Sequence, residues 1–311
     1  MPELPEVENI ARAMRESLLG RRLDALSARF AGAMKPSPAA ARRALLGRRL
    51  TGIRRHGKYL FLDFSPDQAS PHVREASPVY GRAAGAERPA PARLDRAAVT
   101  AAATSGLMLH LRMTGQVFVD PAYVPDKHVR LVFDFEGLTV YYRDQRKFGG
   151  FTLLAPDQEA AALARVGPDM LEIPFPRWQE RLAGRRAPIK ALLLDQRIAA
   201  GLGNIYADEA LFRARVHPSS EARALETPVL RRIWREARGI LRLGIRHGGT
   251  TFINFIDFRG KPGGFRRQLR VYGRDGQPCV ACGAPIAKIK VGGRGTHFCP
   301  RCQSLFRRLD P

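Results

Sequence analysis

The chain has 311 residues, of which 45% are hydrophobic and 26% charged, a composition that excludes a disordered tail or a lone small module. Its 52 lysines and arginines against 29 aspartates and glutamates give a formal net charge of +23, which favours a polyanionic partner over small neutral metabolites. A solvated basic surface in an arginine-rich sequence is the alternative, and charge alone does not distinguish DNA from RNA.

The first predicted element is an amphipathic helix that begins near Glu6 and ends before Gly20. Pro5 suits the first helical position, where its missing N–H removes no hydrogen bond. The apolar residues at helical spacing are Val7, Ile10, Ala11, Met14 and Leu18.

The N-terminus also bears on localisation. It carries two glutamates within six residues, where a signal peptide would carry lysine or arginine. No stretch approaches the roughly 18 uninterrupted apolar residues of a membrane helix. We therefore expect a cytoplasmic protein that does not contact a membrane.

Short β-like runs follow the helix and predict an antiparallel β-sandwich over residues 1–150. They cover residues 50–55, 58–64, 107–113, 128–135 and 138–142, and the last two meet at Glu136-Gly137 like a hairpin. Residues 65–106 are mostly Ala, Pro, Arg and Ser, which bury too little apolar surface to offset the entropy of ordering. We predict a largely disordered insertion there.

The hydrophobic period becomes helical from about residue 157. Gly248-Gly249 is a stop signal for the last predicted helix. We predict a helical domain over 151–270 and a cysteine-bearing tail over 271–311, so the chain is an α+β multidomain protein. The helical runs cover residues 176–184, 188–196, 203–214 and 226–247.

The tail contains all four cysteines of the chain, as two CxxC pairs separated by sixteen residues. This spacing is typical of one tetrahedral Zn²⁺, and four thiolates leave no position for a catalytic water. We therefore predict one structural zinc ion that folds a β-hairpin too small to have a core. A pair of redox motifs is the alternative, although no βαβ pattern surrounds them. The four ligands are Cys279, Cys282, Cys299 and Cys302.

The first residues carry a second candidate chemistry. A small residue follows Met1, so the initiator should be removed and Pro2 should expose a secondary amine. An α-amino group has a reference pKa near 8, so a sizeable unprotonated fraction exists at neutral pH. A secondary amine that condenses with an aldehyde-level carbon gives a cationic iminium, which permits β-elimination. Glu3 lies beside the amine and can shuttle protons. The alternative is that these residues have no catalytic role and only form the start of a helix. Prolines are common there, and the positive end of the helix dipole favours acidic side chains.

Seven further sequence motifs occur along the chain. They are MPELPEVE at 1–8, GKYL at 57–60, HLRMTG at 110–115, DQRKFGG at 144–150, GLGNIYADEALFRARVHP at 201–218, VYGRDGQPC at 271–279 and the zinc hairpin. In this order they resemble the motifs of the formamidopyrimidine-DNA glycosylase family. The resemblance covers nearly the whole chain outside the insertion. It implies an N-terminal β-sandwich with an N-terminal helix, a helix-two-turn-helix domain and a zinc finger, with DNA in the cleft between the halves.

The resemblance also implies catalytic roles. Pro2 matches the nucleophile that attacks C1′ of the damaged nucleoside, and Glu3 matches the acid that assists base loss. Lys58 matches the proton donor of β-elimination, for which a solvated strand lysine is the alternative. Arg294, between the zinc knuckles, matches the arginine assigned to δ-elimination and phosphate contact. Two carboxylates are expected to support the active site, Glu6 and Glu209.

Further positions match DNA contacts of the family. Asn204 begins a helix whose free N–H groups suit a phosphate, with simple N-capping as the alternative. Met113, Arg146 and Phe148 match side chains that fill the hole left by an extruded nucleotide, although Met113 alone would read as core. Two more positions match DNA contacts, Arg185 and His128. Without the resemblance, a histidine like His128 would more often be a strand residue with no role in binding.

The sequence departs from the family in the insertion, which we expect to spare activity, and in residues 250–265, which correspond to the loop over the extruded base. We predict that Phe255, Phe258 and Phe265 form part of this covering loop and stack on the lesion, with a place in the core as the alternative.

The predicted function is base excision repair by a monomeric bifunctional glycosylase and AP lyase. It removes 8-oxoguanine and formamidopyrimidines from double-stranded DNA through an iminium on Pro2, followed by β- and δ-elimination. A preference for oxidised pyrimidines, as in endonuclease VIII, is the alternative within the class. A zinc-ribbon DNA-binding protein without catalysis would need Pro2, Glu3 or Lys58 to be replaced, and none is.

Overall fold

The computed structural model describes residues 2–67, 105–155, 157–252 and 255–307. In chain order these form a β-sandwich preceded by a helix, a helical domain and a C-terminal β-hairpin. The predicted α+β fold class is confirmed. Most of the predicted insertion, residues 68–104, lies outside the described residues.

Seven helices and eleven strands are formed in the described part of the chain. The helices are α1 (Leu4–Leu18), α2 (Pro38–Leu45), α3 (Gln158–Leu163), α4 (Phe175–Leu182), α5 (Ile189–Leu194), α6 (Asn204–Arg213) and α7 (Thr227–Arg246). The strands are β1 (Leu23–Ala28), β2 (Met34–Lys35), β3 (Arg49–His56), β4 (Tyr59–Ser65), β5 (Ser105–His110), β6 (Gly115–Phe118), β7 (Val129–Phe135), β8 (Leu138–Asp144), β9 (Gly150–Leu154), β10 (Ala287–Val291) and β11 (Arg294–Phe298).

Two sheets form the sandwich, with strand orders β1-β7-β8-β6 and β2-β9-β5-β4-β3. All neighbouring strands are antiparallel except β2 and β9, a two-residue parallel pair that the antiparallel prediction missed. Apolar side chains of both sheets share one core, in which the rings of Phe64 and Phe135 stack 6.4 Å apart. The predicted strand over 107–113 is too long, because the chain leaves β5 after His110 and turns at Arg112 with φ of 52°.

Helix α1 joins the sandwich to the helical domain. Val7, Ile10 and Met14 pack in the core of the sandwich, whereas Leu4 at the first turn packs in the core of the helical domain. The backbone N–H of Leu4 donates to the carbonyl of Gly201, 3.1 Å away, which fixes the start of α1 against the loop before α6. The N-terminus of the chain therefore lies at the junction of the two domains.

The helical domain has a core built around α6 and α7, with Trp178 of α4 and Tyr206 of α6 among its fully buried side chains. Within the described residues, none of the helices is both long and apolar enough to cross a membrane. The C-terminal hairpin β10–β11 turns at Gly292-Gly293, so that Val291 pairs with Arg294. It packs on Phe212 of α6, so the tail shares a small apolar cluster with the helical domain.

Candidate active site

Glu3 connects the first helix to the sixth. It is the N-cap residue of α1, and its carboxylate accepts hydrogen bonds from the backbone N–H groups of Gly203 (2.6 Å), Ile205 (2.9 Å) and Tyr206 (3.4 Å). These groups form the N-terminus of α6, where unpaired N–H groups and the helix dipole favour an anion. A Cβ at position 203 would overlap the Glu3 carboxyl group, so glycine allows this approach.

This arrangement corrects the prediction for Asn204. The N–H groups at the start of α6 are occupied by the Glu3 carboxylate, and Gly203 is the N-cap residue. The side-chain amide of Asn204 instead donates to the carbonyl of Gly295, 2.9 Å away on the zinc hairpin. The side chain of Asn204 therefore lies beside the hairpin, where we expect any side-chain contact with DNA to be made.

Burial makes Glu3 a candidate acid at neutral pH. The side chain is 2% exposed, and its pKa is raised to about 7, mainly by desolvation. The charge of Lys58 lowers the pKa, and the charge of Glu6 raises it. A carboxyl group with this pKa is partly protonated at physiological pH, which is the property required of a general acid.

Glu6 holds the same junction from the other side. One of its carboxylate oxygens accepts from the N–H of Glu3 at 2.8 Å, and the other accepts from the hydroxyl of Tyr206 at 2.8 Å and the N–H of Thr250 at 2.7 Å. Burial raises its pKa, and these donors oppose the shift. Three segments that are far apart in sequence are thus fixed around the N-terminus.

Lys58 lies at the tip of the β3–β4 hairpin and is 5% exposed. Burial lowers the pKa of its ammonium group, while the charges of Glu3 and Glu6 raise it and that of Arg294 lowers it again. These interactions bring three of the predicted catalytic side chains, Glu3, Lys58 and Arg294, into one electrostatic cluster. The lysine is therefore not the solvated strand residue of the alternative interpretation.

The tip of this hairpin is fixed by Asp169 of the helical half of the chain. One Asp169 oxygen accepts from the N–H of Gly57 at 2.8 Å and forms an ion pair with Arg55, whose side chain is only 8% exposed. Arg55 also pairs with Glu8 of α1 at 2.8 Å. At Gly57, a Cβ would lie 2.5 Å from the Cβ of Ala200, so the tip fits tightly against the helical domain. Sequence analysis did not identify Arg55 or Asp169 as site residues.

A cavity of about 190 Å³ opens beside Pro2 and Glu6. Met113 and Thr250 also line it, as does Phe255, the predicted stacking residue. The other lining residues are Thr114, Gly115, Gln116, Ile205 and Phe252.

The prediction of a stacking role is wrong for the other two phenylalanines. Phe258 is fully buried in the core of the sandwich. Phe265 is fully buried in the core of the helical domain, where its ring stacks on Tyr206 at 5.3 Å. Periodicity could not reveal this, because both residues lie in a segment without regular strands or long helices.

The three residues predicted to fill a DNA gap lie together. Met113 is 43% exposed and Phe148 is 56% exposed, so Met113 is not a core residue. The Arg146 guanidinium lies 3.1 Å from the Met113 sulfur and 4.6 Å from the centre of the Phe148 ring. The two loops that carry them are joined by buried Asp144, which accepts from the hydroxyl of Thr114 at 2.5 Å and from the N–H of Arg146 at 3.1 Å.

The remaining predicted residues lie further from Pro2. His128 is partly buried just before β7, and Arg185 is exposed after α4. Glu209 is fully buried on α6, where it accepts from the backbone N–H groups of residues 270–272 at 2.8–3.0 Å. It therefore holds the segment that leads to the zinc hairpin, instead of facing the cavity beside Pro2.

Arg294 begins β11 directly after the hairpin turn. The hairpin is tied to the helical domain by a buried ion pair between Lys190 and Asp208, 2.6 Å apart. The Lys190 ammonium also donates to the hydroxyl of Thr296 at 2.7 Å, and Asp208 accepts from the N–H of His297 at 2.9 Å. Lys190 sits in the apolar run IKALLL, which is the one sequence signal that could have identified it.

The four cysteines fit a zinc ion. Their sulfur atoms all lie within 4.8 Å of one another, and two of the distances are 3.9 Å (Cys279–Cys302) and 3.5 Å (Cys282–Cys299). A tetrahedral site with Zn–S bonds of about 2.3 Å requires sulfur atoms about 3.8 Å apart. The donor set leaves no open position, so one structural zinc ion is held here and the redox alternative is excluded.

A β-sandwich that delivers the N-terminus to a helical domain, with a four-cysteine hairpin packed on that domain, defines a DNA glycosylase of the zinc-finger type. Family models for the formamidopyrimidine-DNA glycosylase N-terminal domain, for its H2TH domain and for the zinc finger found in FPG and IleRS match residues 1–151, 166–255 and 276–305. The chain belongs to the formamidopyrimidine-DNA glycosylase family.

Individual relatives agree with this assignment. The formamidopyrimidine-DNA glycosylase of Symbiobacterium thermophilum is 39% identical over 314 residues, covering 98% of this chain and 90% of the relative. A Lactococcus lactis FPG mutant bound to DNA that contains Fapy-dG has a TM-score of 0.81 at 30% identity, covering 97% of this chain and 99% of that one. The wild-type Lactococcus lactis enzyme bound to DNA that contains an oxidised pyrimidine has a TM-score of 0.79 at 31% identity, with coverage of 97% and 99%.

Proposed function

We propose that this glycosylase removes oxidised purines from duplex DNA and then cleaves the strand as an AP lyase. The observation that carries the proposal is the position of Pro2, which lines the cavity at the domain junction beside Glu6. Glu3, with a pKa of about 7, and Lys58 lie in the same cluster of charges. We further propose that the protein acts as a monomer in the bacterial cytosol.

The first half of the reaction joins Pro2 to the sugar. The Pro2 nitrogen attacks C1′, and the C1′–N bond to the base breaks, so that the base leaves with the bonding electrons and takes up a proton. The nitrogen loses its own proton, and the bond from C1′ to O4′ then opens to give the iminium. Glu3 supplies the proton that the departing base takes up, accepts the proton that the nitrogen loses, and passes it to O4′. Its buried position keeps that proton available near pH 7.

The second half of the reaction breaks the strand. The cationic iminium acidifies the C2′–H bond, and loss of that proton expels the 3′ phosphate. Loss of a C4′ proton then expels the 5′ phosphate. In this proposal Lys58 moves protons during the first elimination, and the lowered pKa that burial gives its ammonium group supports the role. Arg294 carries a charge that suits the phosphate released in the second.

The direct test is borohydride trapping of the protein on a duplex that contains 8-oxoguanine opposite cytosine. We expect a covalent complex and, without borohydride, a gap flanked by two phosphates. A matched duplex with an oxidised pyrimidine decides the alternative, since a Lactococcus lactis relative has been captured with such DNA. Faster excision of the pyrimidine would overturn the purine preference, and strand scission without trapping would overturn the iminium.

We expect base excision to slow at alkaline pH. The reaction uses the protonated form of Glu3 together with the unprotonated Pro2 amine, whose reference pKa is near 8, so excision should fall about tenfold per pH unit once the pH is well above about 8. Single-turnover excision of 8-oxoguanine between pH 6 and 9 measures this, with Glu3→Gln expected to be slow and to lack the alkaline decline. A rate constant that stays level to pH 9 in the wild-type protein would contradict the role of Glu3.

We expect Asp169→Asn to separate the two activities. The variant weakens the bonds that hold Gly57 and Arg55, and thereby displaces Lys58, whereas Glu3 is held by α6. Strand cleavage at a preformed abasic site should slow by about tenfold or more, which corresponds to about 1.4 kcal/mol, with a smaller effect on base excision. Asp195→Asn, which weakens a pair with exposed Arg197, is the matched control. Equal slowing of both steps would show that Asp169 acts only through stability.

A further inference from the structure

Helix α7 presents one face made of arginine. Six of its 20 residues are arginines, against 52 lysines and arginines in the 311 residues of the chain, so the helix is enriched in positive charge. Five of the six recur at spacings of four, three, four and four residues. At 3.6 residues per turn these positions fall within an arc of about 80°. They are Arg231, Arg235, Arg238, Arg242 and Arg246.

Two of the five have partners within the protein. Arg238 is partly buried, donates to the carbonyl of Leu171 at 2.7 Å and lies 4.4 Å from the ring centre of Trp234. Arg231 lies over the ring of Phe175 at 4.2 Å. These contacts hold the two side chains within the protein. The face as a whole is directed towards solvent, beside the segment that precedes α4.

The other three side chains, Arg235, Arg242 and Arg246, are exposed and form no ion pair with any residue in the described ranges. The helix has a single acidic residue, Glu236, whose charge acts on Arg213 of α6 instead. We call Arg231, Arg235, Arg242 and Arg246 the arginine face.

Positive charges without acidic partners on one helix face lower the stability of that helix. Like charges three or four residues apart repel one another on a helix. Two effects lower the pKa of Arg238: burial, which is the larger, and the charge of Arg242. A bound polyanion relieves this repulsion, since each guanidinium group can contact a phosphate through two parallel hydrogen bonds.

The arginine face is distinct from the candidate active site. The cavity beside Pro2 is lined by residues of α1, of α6, of the loop around Thr114 and of the segment after α7, and by none of the arginine face. Met113 and Phe148, which are predicted to fill the gap left by an extruded nucleotide, lie in the β-sandwich half of the chain. The residues that line the cavity beside Pro2 thus include none of these four arginines, and three of them, Arg235, Arg242 and Arg246, have no ion pair in the described ranges.

We propose that the arginine face binds the phosphate backbone of a second duplex DNA segment. From Arg231 to Arg246 the helix rises about 22 Å, a length that spans about six phosphates of one strand along a duplex. The single sign of the charge on this face and the guanidinium chemistry fit a regular row of phosphates. The protein then holds two segments at once, which permits direct transfer between them without full dissociation.

The test compares two triple variants with the same change in charge. R235Q/R242Q/R246Q removes the three unpaired members of the face and keeps Arg231 on Phe175. The control, R43Q/R165Q/R177Q, removes three exposed arginines that form no described ion pair and lie on α2, after α3 and on α4. Two short duplexes, one with a donor dye and one with an acceptor, report bridging by energy transfer.

We expect the wild-type protein and the control to bridge the two duplexes, and R235Q/R242Q/R246Q to lose at least about tenfold in bridging affinity. Three phosphate contacts should lower the slope of the logarithm of that affinity against the logarithm of salt by about 2.7. Excision from a single short duplex should be unchanged in both variants. Failed excision with intact bridging would count against the proposed function and leave this inference standing.

Three results would overturn the proposal: no bridging by the wild-type protein, equal loss in both triple variants, or full bridging by R235Q/R242Q/R246Q. The same proteins are to be tested on vesicles that contain phosphatidylglycerol. Loss of vesicle binding confined to R235Q/R242Q/R246Q, with bridging intact, would assign the face to a membrane surface and not to DNA.

Discussion

An N-terminal extension that places Pro2 inside an amide bond is expected to abolish borohydride trapping and to slow base removal by about a thousandfold or more. An amide nitrogen has no available lone pair, so it cannot attack C1′ or form an iminium. Pro2→Gly should also slow base removal, because a primary amine gives an imine that becomes cationic only after it takes up a further proton, and because glycine loosens the backbone beside the cavity. Single-turnover excision of 8-oxoguanine and covalent trapping measure both variants.

Duplex binding should be nearly unchanged in these variants, since the amine supplies chemistry and not docking. A protease-cleavable extension provides the control, because cleavage that leaves Pro2 as the first residue should restore trapping. Pro38→Gly, at the start of α2, controls for the loss of a proline at a helix start. Wild-type excision rates with the extension in place would refute the mechanism.

Removing zinc, or replacing Cys282 with serine, is expected to lower affinity for duplex DNA and the yield of δ-elimination together. The tail has only a small apolar cluster, which it shares with Phe212 of α6, so we expect the metal to supply most of its folding free energy. Without it Arg294 is no longer held, and the loss of its charged hydrogen bonds should weaken binding about 10- to 100-fold. Titration of a labelled duplex and analysis of the cleaved ends measure the two effects.

Val280→Ser is the matched control for this prediction. Val280 lies between two of the ligands but is 59% exposed, so it neither binds the metal nor belongs to the cluster. We expect it to retain wild-type affinity and end products. Unchanged δ-elimination in the zinc-free protein would show that Arg294 is held by the Lys190–Asp208 pair alone, or that it has no part in this step.

The sequence predicted those parts of the fold that have a strong local signal. The apolar period of α1, the stop at Gly248-Gly249 and the CxxC pairs each depend on residues close together in the chain, and each is confirmed. Strands β1 and β6 were missed because their burial does not alternate: β1 follows an irregular pattern and all four residues of β6 are buried. Their assignment depends on tertiary neighbours that no local period encodes.

The sequence predicted individual site residues only where a motif matched. It did not predict how those residues are arranged in space. The contact of Glu3 with the start of α6 joins positions about 200 residues apart, so the sequence assigned those N–H groups to a DNA phosphate. The docking of Lys58 through Asp169 and the burial of Phe258 and Phe265 likewise depend on how two domains meet. Such long-range contacts leave no pattern in a single sequence.

The hydrogen bonds of Glu3 also set an order of events during synthesis. The reactive N-terminus leaves the ribosome first, but the groups that bury and position its acid, at residues 203–206, are made about 200 residues later. Until α6 has folded, the Glu3 carboxyl remains in water with an ordinary acidity, and the sandwich alone has no proton donor tuned to neutral pH. In a nascent or truncated chain the acid that we propose for base excision therefore keeps its ordinary pKa, and we expect activity only after the helical domain has docked.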